Sequence, residues 1–148
     1  MPEKHRSRCQ CGEVEMELEG APIVSLNCHC KVCQQWCGAP FQWMVLYAGD
    51  KARVVKGENN MSFIQSSKTL RRARCKASTH ARTCTSHVYN SKRDGLMYSI
   101  PGVTVEGIRN EDHTFAEGFA PSVEIFYGAR VQDHNTGLPT FDGLPPTL

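Results

Sequence analysis

Eight cysteines in a chain of 148 residues constrain the fold more than any other feature of this sequence. The first residues are polar and no apolar stretch follows them, so we expect no secretory signal and a reducing, cytoplasmic location. Cysteines in such a compartment rarely pair, and closely spaced ones more often hold metal as thiolates. We therefore expect metal-bound cysteines, with a disulfide between distant cysteines as the alternative. We expect no membrane span, because no apolar run approaches the roughly 20 residues that a spanning helix needs.

The spacing of the cysteines divides them between two candidate metal sites. In chain order they are Cys9 and Cys11, then Cys28, Cys30 and Cys33 with Cys37 four residues on, and finally Cys75 and Cys84. A structural zinc site is closed by four ligands, which close pairs from separate segments can supply. The first pair and the last pair together form such a set, and a zinc bound there would contribute directly to folding.

The middle cluster has the spacing C-x-C-x-x-C, which places three thiolates on one short loop. Catalytic zinc sites keep one coordination position free, and a thiol that enters there is deprotonated to its nucleophilic form. We expect the ring of His29, between two of these cysteines, to point away from the metal. Cys37 leaves three interpretations open: a small residue of the core, a fourth ligand that closes the site, or a redox thiol that acts with Cys33.

Hydropathy patterning predicts strands along most of the chain. Val14, Met16 and Leu18 alternate with glutamates, which is typical of a half-buried antiparallel strand. Further short strands are predicted at residues 23–26, 41–47, 52–55, 61–65, 69–74, 87–90, 97–100, 103–106 and 123–127. Only residues 31–36 have a helical pattern. The sequence therefore predicts one all-β domain over residues 1–148, sandwich-like or barrel-like, with residues 1–7 and 143–148 as peripheral tails.

The net charge of +2 hides an uneven distribution of charged residues. Residues 1–93 carry 15 lysines and arginines against 7 acidic residues, whereas residues 94–148 carry 2 against 8. Two solvated faces of one fold would explain this pattern. The alternative is that the densest basic segment, residues 68–82, attracts an anionic ligand or a protein partner. Domains that bind nucleic acid are usually more basic overall, so we expect no nucleic-acid partner.

An ordered series of short motifs runs through nearly the whole chain. The motifs are Cys9-Gln10-Cys11-Gly12, Cys28-His29-Cys30-Lys31-Val32-Cys33, Gly38-Ala39-Pro40-Phe41, Lys56-Gly57-Glu58, Cys84-Thr85-Ser86-His87-Val88-Tyr89, Ile125-Phe126-Tyr127 and Leu138-Pro139-Thr140-Phe141. The series resembles the glutathione-dependent formaldehyde-activating enzyme family, also called the centromere-protein-V/GFA domain.

The resemblance implies a GFA-like β-tent of short antiparallel strands with zinc-binding loops, minimal helix and two zinc ions per chain. It implies a structural zinc on Cys9, Cys11, Cys75 and Cys84, and a second, catalytic zinc on Cys28, Cys30 and Cys33. Members are known as carbon–sulfur lyases that join glutathione and formaldehyde reversibly into S-(hydroxymethyl)glutathione. The implied substrates are therefore glutathione or another small thiol, and a small aldehyde.

Three departures from the family pattern concern the zinc sites and the expected ligand pocket. The late cysteine pair is C-x8-C instead of C-x-x-C, which lengthens the loop that the zinc closes, and His80 or His87 is the alternative ligand. Cys37 stands where the family usually has a small residue such as Ser or Ala. Glu124 and Asp133 stand where the family often has His and Trp, in the half of the chain that we expect to shape the pocket.

Two functions from different classes fit these residues. The first is a zinc-dependent carbon–sulfur lyase in which the middle cluster binds the sulfur of a thiol. The alternative is a non-catalytic zinc-binding module or subunit that docks on a larger assembly, with Cys37 as the closing ligand of the second site.

The arginines and tryptophans near the cysteines receive structural interpretations. We expect Arg71, Arg72 and Arg74 on a solvated strand edge, and pairing with the carboxylates of glutathione is the alternative. We expect Trp36 and Trp43 in the core rather than stacked on a ligand.

Overall fold

Strand β2 shows how the alternating pattern folds in the computed structural model, which describes residues 1–148. The strand covers Glu15–Glu19, where Met16 and Leu18 are fully buried and the glutamates lie on the opposite, partly exposed face. Side chains of a strand point alternately to its two faces, so this sequence buries one face and hydrates the other. The predicted half-buried strand is therefore confirmed.

The chain forms ten strands, one short α-helix and four single 3-10 turns. The strands are β1 Lys4–Arg8, β2 Glu15–Glu19, β3 Val24–Cys28, β4 Gln42–Ala48, β5 Ala52–Lys56, β6 Met61–Gln65, β7 Leu70–Cys75, β8 His87–Lys92, β9 Met97–Pro101 and β10 Val123–Ile125; the helix α1 is Lys31–Cys37; the 3-10 turns are Gly49–Lys51, Glu58–Asn60, Gly102–Thr104 and Tyr127–Ala129. The predicted all-β class with minimal helix is confirmed. Nothing helical here has the length and hydrophobicity that a membrane crossing needs.

The strands are arranged in two sheets of unequal size. The small sheet has the order β1-β2-β5, and the large sheet has the order β10-β3-β4-β9-β8-β7-β6. Neighbouring strands are antiparallel except β10 and β3, which run parallel. The predicted antiparallel arrangement holds for every other pair of neighbouring strands. A tight hairpin forces antiparallel pairing, whereas β10 reaches β3 through a long connection that leaves its direction free.

The large sheet is covered on both of its faces. One face packs with the small sheet around a main core of 17 buried residues, among them Met16 and Ile100. The other face carries a second cluster of six buried residues, among them Leu26 and Met44. Because side chains alternate along a strand, the β4 neighbours Met44 and Val45 belong to different clusters. Two of the predicted metal ligands lie in the second cluster, so this face of the sheet carries a candidate metal site.

The prediction of a peripheral tail over residues 1–7 is wrong, because Lys4–Arg8 forms the edge strand β1. This strand pairs with β2 along its whole length, and His5 and Ser7 are buried. Its basic side chains meet the glutamates of β2; the Nζ atom of Lys4 lies 3.1 Å from Oε1 of Glu17. Opposite charges on paired strands favour this register, which the polar sequence of the segment concealed.

Residues 103–106 do not form the predicted strand. Gly102–Thr104 makes a 3-10 turn, and only Val105 makes an isolated bridge, to Ser7. Gly102 lies so close to the indole of Trp43 that any β-carbon there would overlap the ring. Val103 is exposed, so the apolar alternation in this segment does not mark a buried face.

The carboxyl-terminal residues 143–148 lie against the second cluster. The N–H of Phe126 donates to the carbonyl of Gly143 at 3.1 Å, and Leu148 packs on the buried residues of the cluster. These residues therefore belong to the surroundings of the site described below, although several of them are exposed.

Gly57 and Gly107 offer a matched test of the packing between β2 and the turn after β5. Both have positive φ angles, 76° and 68°, so alanine at either position is strained by about 1–2 kcal/mol. A β-carbon on Gly57 would in addition overlap the backbone carbonyl of Glu13, whereas one on Gly107 meets nothing. We expect Gly57→Ala to lower the free energy of unfolding clearly more than Gly107→Ala in denaturant titrations. Equal losses would contradict the described packing.

Candidate functional site

Four cysteines that are distant in sequence lie together between the two sheets. Cys9 and Cys11 follow β1 of the small sheet, Cys75 ends β7 of the large sheet, and Cys84 precedes β8. Their Sγ atoms all lie within 4.8 Å of one another. The Sγ atoms of Cys9 and Cys11 are 3.5 Å apart, and those of Cys11 and Cys75 are 3.7 Å apart. Four sulfurs on a tetrahedral zinc at about 2.3 Å would be roughly 3.8 Å apart, so this cluster could hold a metal ion such as zinc.

The surroundings of this cluster suit thiolates rather than a disulfide. All eight cysteines are unpaired, so the alternative of a disulfide between distant cysteines is wrong. The N–H of Val14 donates to Sγ of Cys9 at 3.3 Å, and the N–H of Ala77 donates to Sγ of Cys75 at 3.4 Å. Such hydrogen bonds favour the charged form of the sulfur, whereas burial raises the pKa of Cys11 and Cys75, so full deprotonation of the cluster requires a bound cation. Four donors close the site, which is the arrangement of a structural metal.

A small hairpin absorbs the long spacing between the last two cysteines. Ser78 and Thr83 form an isolated antiparallel bridge, and the residues between them are exposed. The hairpin returns the chain so that Cys84 reaches the sulfur of Cys75. His80 is exposed in the hairpin and is not part of the cluster.

The middle cluster lies at the junction of β3 and α1. Cys28 ends β3, Cys30 caps the amino terminus of α1, and Cys33 lies in its first turn. Their Sγ atoms lie within 4.8 Å of one another, and the N–H of Cys33 donates to Sγ of Cys30 at 3.3 Å. The pKa of Cys30 is lowered because the thiols of Cys28 and Cys33 donate to its sulfur, and the same contact raises the pKa of Cys28. Three close sulfurs, one of them readily deprotonated, could hold a second metal ion.

Cys37 lies outside this cluster. It ends α1, and its thiol donates to the carbonyl of Cys33 at 2.9 Å. Because Cys37 is exposed, its interpretation as a small core residue is wrong. The sulfur of Cys37 does not lie with the other three, because its hydrogen bond to the preceding turn of the helix directs it away from them. The middle cluster therefore has three cysteine donors, and a catalytic zinc site has the same number of protein ligands.

Arg72 is a buried arginine beside the middle cluster. Its side chain is 2% exposed, and its Nη2 lies 3.8 Å from Sγ of Cys33. Its other partners are the side-chain oxygens of Ser66 at 3.3 Å and Asn90 at 3.4 Å, so no carboxylate compensates its charge. A buried charge is unfavourable without an opposite one, and the adjacent cysteines would supply it as metal-bound thiolates. The prediction of a solvated strand edge is wrong for Arg72.

A chain of hydrogen bonds holds Asn90 in place against Arg72. The Nε2 of Gln42 donates to Nδ1 of His87 at 2.8 Å, and Nε2 of His87 donates to Oδ1 of Asn90 at 2.7 Å. Burial lowers the pKa of His87 to about 4, so the ring is neutral at pH 7 and can accept on one side and donate on the other. Because both ring nitrogens are engaged, His87 is not placed as the alternative metal ligand.

The two tryptophans differ in their surroundings. Trp43 is half-buried and packs against the main core, as predicted. Trp36 instead lies under the guanidinium of Arg74, 3.9 Å from the ring centroid, with Arg72 at 5.5 Å. Its prediction as a core residue is therefore wrong. Of the three arginines expected at the edge, only Arg71 is exposed.

A cavity of about 320 Å³ opens beside the middle cluster, and all three of its cysteines line the cavity. Most other walls are apolar and come from the second cluster and from β7 and β9. They include Leu26, Met44, Leu46, Leu70, Met97 and Ile125. The charged lining residues are Arg72 and Lys92. A small molecule in the cavity can thus reach the three sulfurs from an apolar space.

Glu124 does not line this cavity, although the sequence analysis expected it to shape a ligand pocket. Its neighbour Ile125 lines the cavity, and Glu124 points to the opposite face of the strand, where it is 0% exposed. Its Oε2 accepts from Nδ2 of Asn27 at 2.7 Å, and its Oε1 lies 3.3 Å from Nε2 of His29 and 3.4 Å from Nε2 of His134. The ring of His29 is thereby directed to Glu124 and away from the sulfurs. Glu124 anchors the residue between two cysteines of the middle cluster.

Sequence reasoning missed three features of the site. These are the burial of Arg72, the apolar cavity, and the contact of His134 with Glu124. The dense basic segment indicates that an arginine there could meet an anionic group, but it does not distinguish the buried Arg72 from its more exposed neighbours. Asp133, expected near the pocket, is exposed and pairs with Arg130 at 2.8 Å.

Serine substitutions of Cys84 and Cys37 should differ in metal content. Cys84→Ser removes one of four donors of the closed site, so we expect one metal ion fewer per chain and a lower melting temperature. Cys37→Ser changes an exposed cysteine outside both clusters, so we expect an unchanged metal content. Metal analysis of the purified variants measures both results. Loss of a metal ion from Cys37→Ser would contradict the geometry.

Glu124→Ala should speed the loss of metal from the middle cluster. The substitution leaves the buried Asn27 and His29 without their shared acceptor, at a cost of about 1–3 kcal/mol, and frees the loop that carries two ligands. We expect metal transfer to a chelator to become several-fold faster for one of the two ions. Asp133→Ala, which removes an exposed carboxylate, is the control and should leave the rate unchanged. Equal rates for both variants would show that Glu124 does not support the loop.

Comparisons with known proteins agree with this fold and cysteine pattern. The family model described as glutathione-dependent formaldehyde-activating enzyme matches residues 4–129. A crystal structure of a Rhodobacter sphaeroides protein superimposes with a TM-score of 0.56 at 23% sequence identity, covering 72% of this chain and 93% of that chain, which shows a shared fold. No curated protein sequence gives a significant match. Because the family model spans most of the chain, including both cysteine clusters, the chain belongs to the glutathione-dependent formaldehyde-activating enzyme family.

Proposed function

We propose that this protein is a zinc-dependent carbon–sulfur lyase that joins a thiol to a small aldehyde and splits the product in the reverse direction. The observation that carries the proposal is the middle cluster, in which three cysteines without a fourth protein donor line a cavity. The family suggests the reaction, since its description names glutathione-dependent formaldehyde activation.

The two clusters would have different roles, one structural and one chemical. Cys9, Cys11, Cys75 and Cys84 would hold a structural zinc that joins the sheets. Cys28, Cys30 and Cys33 would hold the second zinc, which when bound supplies a Lewis acid that keeps a thiol sulfur deprotonated at neutral pH. The first set has four donors and no free coordination position for a substrate, whereas the second set has three donors and faces an apolar cavity.

Arg72 supports this chemistry through its charge. Three thiolates and a divalent ion carry a net charge of −1, and a substrate thiolate would add another negative charge. The guanidinium near Sγ of Cys33 offsets part of this charge inside a site with mainly apolar walls. Asn90 and Ser66 keep the guanidinium in position. Arg72 is therefore a positioning residue for the cluster and a source of favourable potential for a thiolate.

The reaction itself requires few groups from the protein. The thiolate sulfur donates an electron pair to the aldehyde carbon, a carbon–sulfur bond forms, and the carbonyl electron pair moves to oxygen, which takes a proton from solvent. The reverse reaction returns this proton and breaks the same bond. The contribution of the protein is to hold the sulfur deprotonated and to place it in a confined space with the aldehyde. Reduced cysteines are essential, so the proposal places the protein in a reducing compartment such as the cytoplasm.

The alternative, a non-catalytic module, receives less support from the structure. One reason for it, besides the long spacing of the last two cysteines and the charge asymmetry, is a second site closed by Cys37, whose sulfur lies elsewhere. In the basic segment 68–82, Arg72 and Arg74 are directed to the middle cluster and to Trp36, which leaves fewer cations for a protein partner. Docking through the remaining exposed cations stays a prediction.

The proposal predicts acceleration of thiol addition that depends on the middle cluster. Zinc-loaded protein should raise the rate of S-(hydroxymethyl) adduct formation from a thiol and formaldehyde above the rate without protein. Cys30→Ser removes one of three donors, so we expect the acceleration to disappear while the structural metal is retained. Glutathione is the first thiol to assay, and the rate can be followed by exchange spectroscopy in NMR. A rate equal to the blank for every thiol tested would contradict the proposal.

Arg72 and its neighbour Arg71 provide a matched pair for the role of charge. Arg72→Gln removes the buried cation near Cys33, so we expect at least about a tenfold loss of rate and weaker thiol binding at the metal. Arg71→Gln removes an exposed cation that lies over Phe63 and should change neither. Arg72→Lys should recover part of the binding, because it restores the charge but not the hydrogen bonds. If the lysine variant and the glutamine variant bind thiol equally weakly, packing rather than charge explains the effect.

A further inference from the structure

We propose that the thiol used at the second site has an apolar body and carries no ammonium group, so that glutathione is a poor substrate. This inference rests on the proposed function, because it assigns a substrate class to the same three-cysteine site. It is based on the chemistry of the cavity walls, which the family assignment does not determine.

The walls next to the sulfurs offer mainly carbon. Leu26, Met44 and Ile125 come from the buried second cluster, and Leu46, Leu70 and Met97 extend the apolar surface along the neighbouring strands. An alkyl or aryl group that enters this space loses contact with water over a large area, which favours binding in proportion to that area. A peptide group that enters the same space loses its hydrogen bonds to water.

The polar groups of the cavity are few, and several are already engaged. The side-chain oxygens of Ser66 and Asn90 accept from Arg72, and Asn90 also accepts from His87. Arg72 itself compensates the charge of the cluster through Cys33. Of the other polar lining residues, Ser67 already accepts from the backbone N–H groups of Thr69 and Leu70. The side chains of Thr69, Ser99 and Lys92 are what remains for the two peptide groups of glutathione.

The charges of the cavity disfavour the ammonium group of glutathione. The lining contains the cations Arg72 and Lys92 and no aspartate or glutamate. The ammonium group of glutathione would meet like charges and no acceptor carboxylate. Further cations that could bind its carboxylates, Lys68 and Arg71, line a separate polar cavity that shares only Thr69 with this one.

The size of the cavity agrees with a small ligand. At about 320 Å³ it lies at the lower end of the range of roughly 300–1,000 Å³ that is typical of small-molecule sites. A thiol with one ring or a short alkyl chain, together with an aldehyde of one or a few carbons, fits in this space.

Cobalt-loaded protein tests the inference by spectroscopy, without relying on turnover. Thiolate binding to cobalt changes its absorption, and the closed four-cysteine site provides a constant background that also reports folding. Phenylmethanethiol, glutathione and 2-mercaptoethanol are titrated separately, the last as a small polar thiol that reaches the metal without filling the cavity. We expect the dissociation constant of phenylmethanethiol to be at least about tenfold below that of glutathione.

Substitutions inside and outside the cavity show whether the cavity walls cause this preference. Leu70→Gln places an amide in the cavity and should raise the dissociation constant of phenylmethanethiol about three- to tenfold, with little effect on 2-mercaptoethanol. Ile64→Gln makes the same change at an exposed position of β6 outside the cavity and should have no effect. Met97→Gln is a second cavity variant, and it should resemble Leu70→Gln.

The possible failures are distinguishable. If no thiol changes the cobalt spectrum, both the proposed function and the proposed substrate class are contradicted. If thiols bind but glutathione binds as tightly as phenylmethanethiol or more tightly, only the apolar class is overturned. The same conclusion follows if neither cavity variant weakens the binding of phenylmethanethiol.

Discussion

The contact of four sulfurs between the two sheets is the constraint on which the rest of this structure depends. Cys9 and Cys11 follow β1 of the small sheet, while Cys75 ends β7 of the large sheet and Cys84 precedes β8, so the cluster fixes how the sheets meet. Four crowded thiolates would repel one another without a cation between them. A bound metal turns this repulsion into a crosslink, and its binding energy becomes folding energy. The main core forms around that junction, since three of these cysteines and the partly buried Cys11 belong to it or pack against it.

The large sheet separates structure from chemistry through the alternation of its side chains. On β3 and β10, Leu26, Cys28 and Ile125 face the cavity, while Asn27 and Glu124 face the other side. The carboxylate thereby supports the metal-binding loop through His29 without entering the cavity. The same alternation keeps the carboxylate of Glu124 away from the sulfurs, where it would oppose the binding of a thiolate. Arg72 is then the only fully buried charge on the cavity side.

Much of this arrangement could be predicted from the sequence, and the exceptions have physical reasons. The strand positions of Met16 and Leu18 follow from local alternation, and the cysteine spacing indicates which sulfurs can meet, because both depend on short-range geometry. The burial of Arg72 depends on a charge from residues that are distant in the sequence, so no local sequence pattern predicts this burial. The strand β1 was missed because its partners, the glutamates of β2, compensate its charges only after pairing. The cavity is formed by side chains from several strands and from residues 143–148, and only their assembly creates it.

The hairpin between the last two cysteines has a consequence for how this chain tolerates variation. Its bridge from Ser78 to Thr83 closes the excursion on itself, and the residues at its tip contact solvent. Extra length at that tip adds little closure entropy and moves neither sulfur. The tip is thus a natural insertion point, where an epitope or a fluorescent label could be carried without disturbing the metal or the cavity. Sequence alignments that demand a fixed spacing between these cysteines would overlook proteins that share this architecture.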